Sequence, residues 1–189
     1  MPVKRIFIAI DISDEARPEA AGYIERLRLD FARIKVGWER PEKLHFTVRF
    51  LGDIDEKQIE KVCAVIETVA NQFKPFAVRI VETGVFPHYK NPKVLWLGPK
   101  QGSEEMTRIN ADIDSGLERI GFEPERRKFH PHLTIARIKD LEKSRTLVRV
   151  HRQRQLEPIT FTATGITIYE SKLQKTGSEY FPVRFFPFK

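Results

Sequence analysis

Two short stretches of this chain carry the same four-residue order. KLHFTVRFLG, residues 43–52, contains His45, Phe46, Thr47 and Val48; HPHLTIAR, residues 130–137, contains His132, Leu133, Thr134 and Ile135. Each reads histidine, apolar, threonine, apolar. In an extended strand residues i and i+2 share a face, roughly 6.5 Å apart. Each stretch therefore offers an imidazole beside a hydroxyl, with its apolar partners turned the other way. Two such strands facing one cleft would bring two imidazoles and two hydroxyls to a single small group.

A phosphate suits that set. One neutral imidazole can take a proton from water or a hydroxyl, while one imidazolium gives a proton to a departing oxygen. Histidine serves in both states around neutrality because its unperturbed pKa is near 6.5. Threonine hydroxyls donating to non-bridging oxygens stabilise the charge that grows in a five-coordinate transition state, and one well-placed donor is worth roughly 3 kcal/mol. Nothing in this scheme calls for a metal or a cofactor.

The rest of the pattern has to hold these stretches in place. KRIFIAIDI at 4–12 alternates Ile6, Ile8 and Ile10 as a strand. Ser13 and Asp14 offer helix caps, Pro18 fits a first turn, and a helix follows to about residue 34. A loop with Trp38 leads to the strand at 43–50. Residues 55–73 form the clearest helix, with Ile59, Val62, Cys63, Ile66, Val69 and Phe73 on one stripe; Cys63 on that stripe reads as a buried, inert thiol. Two strands, PFAVRIVETGVF and KVLWLGPK, flank the turn PHYKNP. Ser103 is placed to cap an amphipathic helix ending at Gly121. FHPHLTIARI is a further strand, 140–155 a basic helix, and ITFTATGITIYES and YFPVRFFPF close the chain as strands. Strands and helices mix without strict alternation, which predicts an α+β fold with antiparallel sheets.

Composition narrows the class. Hydrophobic residues make up 41% of the 189-residue chain, including fourteen phenylalanines, enough for a sizeable core. No apolar run reaches membrane-spanning length, and the apolar stretch near the N-terminus is too short for a signal core. One cysteine excludes an internal disulfide and a cysteine-based zinc site. A cytoplasmic protein is expected. The formal charge of +7 and pI near 9.6 point to a polyanionic partner, although a lysine- and glutamate-rich surface also fits heat adaptation.

Further candidates surround the two stretches. Arg49 shares the parity of His45 and Thr47, so strict alternation points it into the cleft as a substrate-binding residue. Arg137 has the opposite parity to His132 and Thr134 and needs a bulge or twist to reach the cleft. Arg127, in ERRK at 125–128, and the Lys/Arg set at 143–154 are basic-patch candidates. His130 makes an H-x-H pair with His132, but no acid or cysteine adjoins it to complete a metal site. His88 and His151 read as surface residues. Trp38, Phe86 and Tyr89 are candidate base-stacking platforms, each with packing as the plainer role.

The early KRIFIAID strand, LHFTVRFLG followed by an amphipathic helix, HPHLTIAR some 87 residues later and a strand-rich C-terminus together resemble the 2H phosphoesterases, and within them the RNA 2′,3′-cyclic phosphodiesterases, also called 2′-5′ RNA ligases. The resemblance spans the whole chain. It implies a single domain over residues 1–189, bilobal, with two antiparallel sheets, flanking helices and pseudo-twofold symmetry about a central cleft. It also implies metal-independent opening of a terminal 2′,3′-cyclic phosphate to a 2′-phosphomonoester, with 2′-5′ ligation as the reverse. His45 would be the proton donor and His132 the proton acceptor, with Thr47 and Thr134 holding the phosphate; spacing alone treats the two histidines alike. The family often carries an arginine shortly after the second motif, the place of Arg137. The expected partner is RNA with a cyclic-phosphate end, and the expected state a monomer. Two rival readings remain: a phosphodiesterase for small nucleotides such as ADP-ribose cyclic phosphate or 2′-5′ oligoadenylates, and a non-catalytic module that binds RNA ends.

Overall fold

The computed structural model describes residues 2–174 and 177–189. Nine strands pair antiparallel: β1 (Lys4–Asp11), β2 (Val36–Trp38), β3 (His45–Ile54), β4 (Phe76–Phe86), β5 (Val94–Gln101), β6 (Leu133–Ile138), β7 (Ile159–Ala163), β8 (Gly165–Gln174) and β9 (Gly177–Pro187). Their order is β7-β4-β5-β6-β3-β1-β8-β9, with β2 set against β6. Two antiparallel halves are thus joined where β3 meets β6. Among the described residues that junction is one residue pair, Phe46 with Leu133. The α+β architecture with two antiparallel halves holds, and the halves are fused into one sheet by this seam.

Four helices cover the apolar face: α1 (Arg17–Asp30), α2 (Glu56–Ala70), α3 (Ser103–Arg119) and α4 (Leu141–Gln153). α2 starts on a reciprocal cap in which the Asp55 carboxylate accepts from the Gln58 amide and the Gln58 side chain accepts from the Asp55 amide. Its stripe Ile59, Val62, Cys63 and Ile66 enters one core with Ile6, Ile8 and Ile10 of β1, and with Phe46 and Leu133 of the seam. Cys63 is buried there as expected, and burial pushes its thiol up. No helix of the described residues is long and apolar enough to cross a membrane.

Three local expectations change. Trp38 lies in β2 rather than a loop, paired with Ala136 of β6; a three-residue strand is too short to leave a periodic signal. Ser103 is the first helical residue and makes no cap, because Gly102, at φ 84°, takes the N-cap position in a conformation that favours glycine. His151 is fully buried rather than on the surface. Its Nε2 donates to the Gly84 carbonyl at 3.1 Å and its Nδ1 accepts from Tyr23 Oη at 2.9 Å, so it ties α4 to both α1 and β4. Burial pushes His151 down to about 4 and Tyr23 up to about 12. Gly84 is required by packing, since a Cβ there would stand 2.0 Å from the Trp96 ring.

Candidate active site

The seam builds the site. Phe46 and Leu133 both point into the core with no exposure. Pleating then sends the residues on either side of each to the opposite face. Antiparallel pairing at that single point relates the strands by a local twofold axis, with a histidine before and a threonine after the paired residue in each. His45, Thr47, His132 and Thr134 accordingly line one cavity of about 140 Å³. The four side chains thus share one cavity wall across the seam.

The same irregularity follows the threonine in both strands. In β3, Thr47 pairs with Ala9 and Arg49 with Ile8, leaving Val48 as an extra residue. In β6, Thr134 pairs with Trp96 and Ala136 with Leu95, leaving Ile135 extra. Each bulge resets the side-chain alternation. Past it, Arg137 faces the cavity, and so does Phe50 in the other half. Arg49 goes to the helix side, where Nε lies 2.8 Å from Asp114 of α3 and Nη1 3.4 Å from Glu125. The Val48 bulge takes Arg49 out of this cavity's lining and into that of a neighbouring cleft it shares with Thr47, Phe50 and His132. Both bulge carbonyls find partners outside their ladders: Val48 O accepts from the buried Asn110 Nδ2 at 3.0 Å, and Ile135 O from the Glu39 amide at 2.9 Å.

The two imidazoles are held alike. His45 Nδ1 lies 2.7 Å from the Lys43 carbonyl, and His132 Nδ1 2.8 Å from the His130 carbonyl. A carbonyl only accepts, so both Nδ1 atoms carry hydrogen and both neutral rings keep Nε2 as an acceptor. Thr47 Oγ1 sits 2.9 Å from His45 Nε2 and donates to it. Burial pushes His45 down to about 4, helped by the charges of His132 and Arg137 and opposed by the Lys43 carbonyl bond and Asp11. Burial also lowers His132, opposed by its bond to the His130 carbonyl and helped by His130 and Arg137. Burial thus favours the neutral form of both rings when no anion is present.

Their surroundings differ. His45 sits among Phe7, Tyr180 and Tyr169, with ring centroids 5.0, 5.4 and 6.1 Å away. Asp11 is its partner across the β1–β3 ladder, and the Asp11 carboxylate accepts from Thr167 Oγ1 at 2.6 Å and Tyr169 Oη at 2.8 Å. Among the described residues His132 has one aromatic ring packed against it, Phe86, at 4.8 Å and nearly perpendicular. Tyr180 and Lys43, also in the lining, are tied together: Lys43 Nζ is 5.5 Å from the Tyr180 ring centre and donates to the Ser178 carbonyl. Glu39 lies in the same wall, and burial raises its carboxyl against the pull of Arg137.

Other sequence candidates fall outside this cavity. Arg127 is exposed and paired with Glu125 at 3.1 Å; it lines a neighbouring cleft of about 490 Å³ that also reaches Thr47 and His132. His130 stacks edge-on against Trp96 at 4.8 Å, and among the described residues no group of three or more His, Cys, Asp or Glu is gathered to hold a metal. His88 caps its own turn, accepting from the Asn91 amide. Phe50, Tyr180, Lys43 and Glu39 were missed as lining residues. The apolar pair Ile135-Ala136, which breaks strict alternation, was the one sequence sign of a bulge; nothing in the sequence pointed to Tyr180, which a distant hairpin delivers.

The family model described as the 2′-5′ RNA ligase superfamily matches residues 15–175. A Methanocaldococcus jannaschii protein named RNA 2′,3′-cyclic phosphodiesterase is 29% identical over 177 residues, covering 93% of this chain and 96% of its own. A Thermotoga maritima protein of the same name is 30% identical over 178 residues, covering 93% and 91%. Among solved structures, Escherichia coli LigT complexed with 3′-AMP superposes with a TM-score of 0.74 at 20% identity, over 99% of both chains; that likeness is one of fold.

Proposed function

Because this chain belongs to the 2′-5′ RNA ligase superfamily, we propose that it opens the terminal 2′,3′-cyclic phosphate of RNA to a 2′-phosphomonoester, the activity named for its M. jannaschii and T. maritima relatives. The carrying observation is the Phe46–Leu133 pair, which turns both His-x-Thr sets onto one phosphate-sized cavity. His132 Nε2 takes a proton from water as the water oxygen bonds to phosphorus. His45 delivers a proton to the 3′-oxygen as the P–O3′ bond breaks. The products are a 2′-phosphomonoester and a free 3′-hydroxyl, and the two histidines end with exchanged protonation states.

Several features support that assignment of roles. Burial pushes both rings toward the neutral form, His45 to about 4; Asp11 is the carboxylate that opposes this at His45, and none does so at His132. Burial that makes a lone imidazolium costly also strengthens its attraction to a bound phosphate. Once His45 is protonated its Nε2–H donates, which frees the Thr47 hydroxyl to turn to a phosphate oxygen. Arg137, aimed inward by the Ile135 bulge, supplies a fixed positive charge with fork geometry for the non-bridging oxygens. Phe50 is 63% exposed at the cavity mouth and offers a face on which the terminal base can stack. A 5′-hydroxyl in place of water would give a 2′-5′ linkage by the same steps. One core and one cavity draw on both halves of one chain, which supports a single two-lobed domain acting as a monomer.

The test is to incubate the purified protein with an RNA ending in a 2′,3′-cyclic phosphate and identify the hydroxyl that keeps the phosphate. A 2′-phosphate is expected. A 3′-phosphate, or no conversion, overturns the proposal.

A further inference from the structure

We propose that the basic cleft between α4 and the β4–β5 turn binds the body of a single-stranded RNA whose 3′ end occupies the reaction cavity; this rests on the cyclic-phosphate reading above. The cleft has a volume of about 760 Å³. Arg145, Arg149 and Arg152 of α4 form one wall, and Tyr89 and Lys90 of the turn form the other. The arginines recur at i, i+4 and i+7, so they make one stripe about 10 Å long on a helix rising ~1.5 Å per residue.

Two properties separate this cleft from an ordinary solvated helix face. No carboxylate lines it. Arg145 is held by Glu142 at 2.7 Å, but Arg149 and Arg152 form no ion pair among the described residues. Their charge is left for an outside anion. In addition, the Arg152 guanidinium stands 4.6 Å over the Tyr89 ring, which is 41% exposed. Cations beside a presented aromatic face are the combination that holds single-stranded nucleic acid, phosphates on the charges and a base on the ring. An acidic protein segment would use the arginines and leave the tyrosine without a role.

The cleft shares no lining residue with the reaction cavity but adjoins it along the chain on both walls. Val94 lines that cavity and pairs with Arg137, while Pro92, at most ~7 Å away along the chain, lines the cleft. On the other wall, β6 passes from Arg137 into α4 at Leu141, another lining residue. The Ile138 amide donates to the Lys93 carbonyl at 2.9 Å and locks the two walls together. On this proposal a strand anchored by its terminal phosphate crosses the turn to lie along the arginines. The enzyme would select polynucleotide ends over cyclic mononucleotides.

The experiment compares wild type with the double variant R149E/R152E and, separately, Tyr89→Ala. Substrates are a 2′,3′-cyclic mononucleotide and a ten-nucleotide RNA ending in a cyclic phosphate. Binding of a ten-nucleotide RNA with an ordinary 3′-hydroxyl is followed by fluorescence anisotropy across a salt series. The double variant should raise KM for the oligonucleotide at least about 10-fold, with its kcat and the mononucleotide rates unchanged. Its salt slope should fall by about 1.4, at ~0.7 per lost phosphate contact. Tyr89→Ala, outside the helix, should weaken anisotropy binding without changing the slope. Unchanged oligonucleotide KM and anisotropy overturn the proposal, as does a glutamate peptide of equal charge competing as well as RNA. Should neither substrate turn over, the cyclic-phosphate reading fails, and the anisotropy arm still decides whether the cleft binds RNA.

Discussion

At the start of β3 and just before β6 a histidine donates Nδ1–H to the carbonyl two residues back, a threonine follows on the same face, and one bulged residue precedes the next cavity-facing side chain. Beyond that shared frame the halves part. Phe50 follows the bulge in one and Arg137 in the other. His45 is packed among three aromatic rings with Asp11 behind it, whereas His132 meets the edge of one ring. The repeated backbone gives two equivalent proton-handling positions. The unequal side chains give the cavity a direction, with a cation for phosphate on one side and a stacking face on the other.

The largest test of the equivalence is removal of either imidazole. His45→Ala and His132→Ala should each lower kcat by about 10² to 10⁴ on a cyclic-phosphate substrate, with circular dichroism unchanged. Retention of full rate in one of them would reduce the pair to a single working histidine.

The bulges make an opposite pair of forecasts for two arginines. Arg137→Ala should raise KM by roughly 10² while the melting temperature stays put, in line with loss of a charge-assisted phosphate contact worth about 1.5–3 kcal/mol. Arg49→Ala should chiefly destabilise, because it strands Asp114, whose carboxyl burial already raises. If thermal melting showed Arg137 to be the structural arginine, the bulge argument would be reversed. Phe50→Ala should cost about 10-fold in kcat/KM, the scale of one stacked base, and a loss that is the same for a base-free ribose cyclic phosphate would refute stacking.

Asn110→Ala removes the donor that satisfies the Val48 carbonyl and should lower stability by about 1–3 kcal/mol; urea unfolding measures it. Acidity gives the most general effect. His45 and His151 are both lowered to about 4 in the folded chain, so between pH 6.5 and about 4 the unfolded chain binds more protons. Stability is fully present above pH 6.5 and declines as the pH falls through that window. Replacing His151 with glutamine should flatten this slope. For catalysis, the bell for kcat/KM should centre below pH 6.5, and the bell for kcat should lie higher, since bound phosphate favours both imidazolium forms. Coincident bells would mean that the phosphate does not approach the rings.

How much of this was readable in advance can be judged residue by residue. Alternation and helical stripes located the strands holding His45 and His132, the α2 stripe and the burial of Cys63, because periodicity reports which face is buried. His151 was misplaced although it continues the buried α4 stripe of Ser144, Leu147 and Val148 at helical spacing, because only two residues of that stripe are apolar and the rest of the helix is largely basic. Trp38 was lost for a related reason, its strand being three residues long.

The sequence by itself determined the two His-x-Thr units, the apolar residues behind them and a net positive chain. Tertiary structure alone decided that Phe46 and Leu133 would meet, which is what places the units on one cavity. It also decided that Val48 and Ile135 would bulge, sending Arg49 to Asp114 and Arg137 to the cavity. The reason is that side-chain direction along a strand depends on register with its neighbour. One unpaired residue inverts every direction beyond it, and the partner that leaves it unpaired lies far away in the chain.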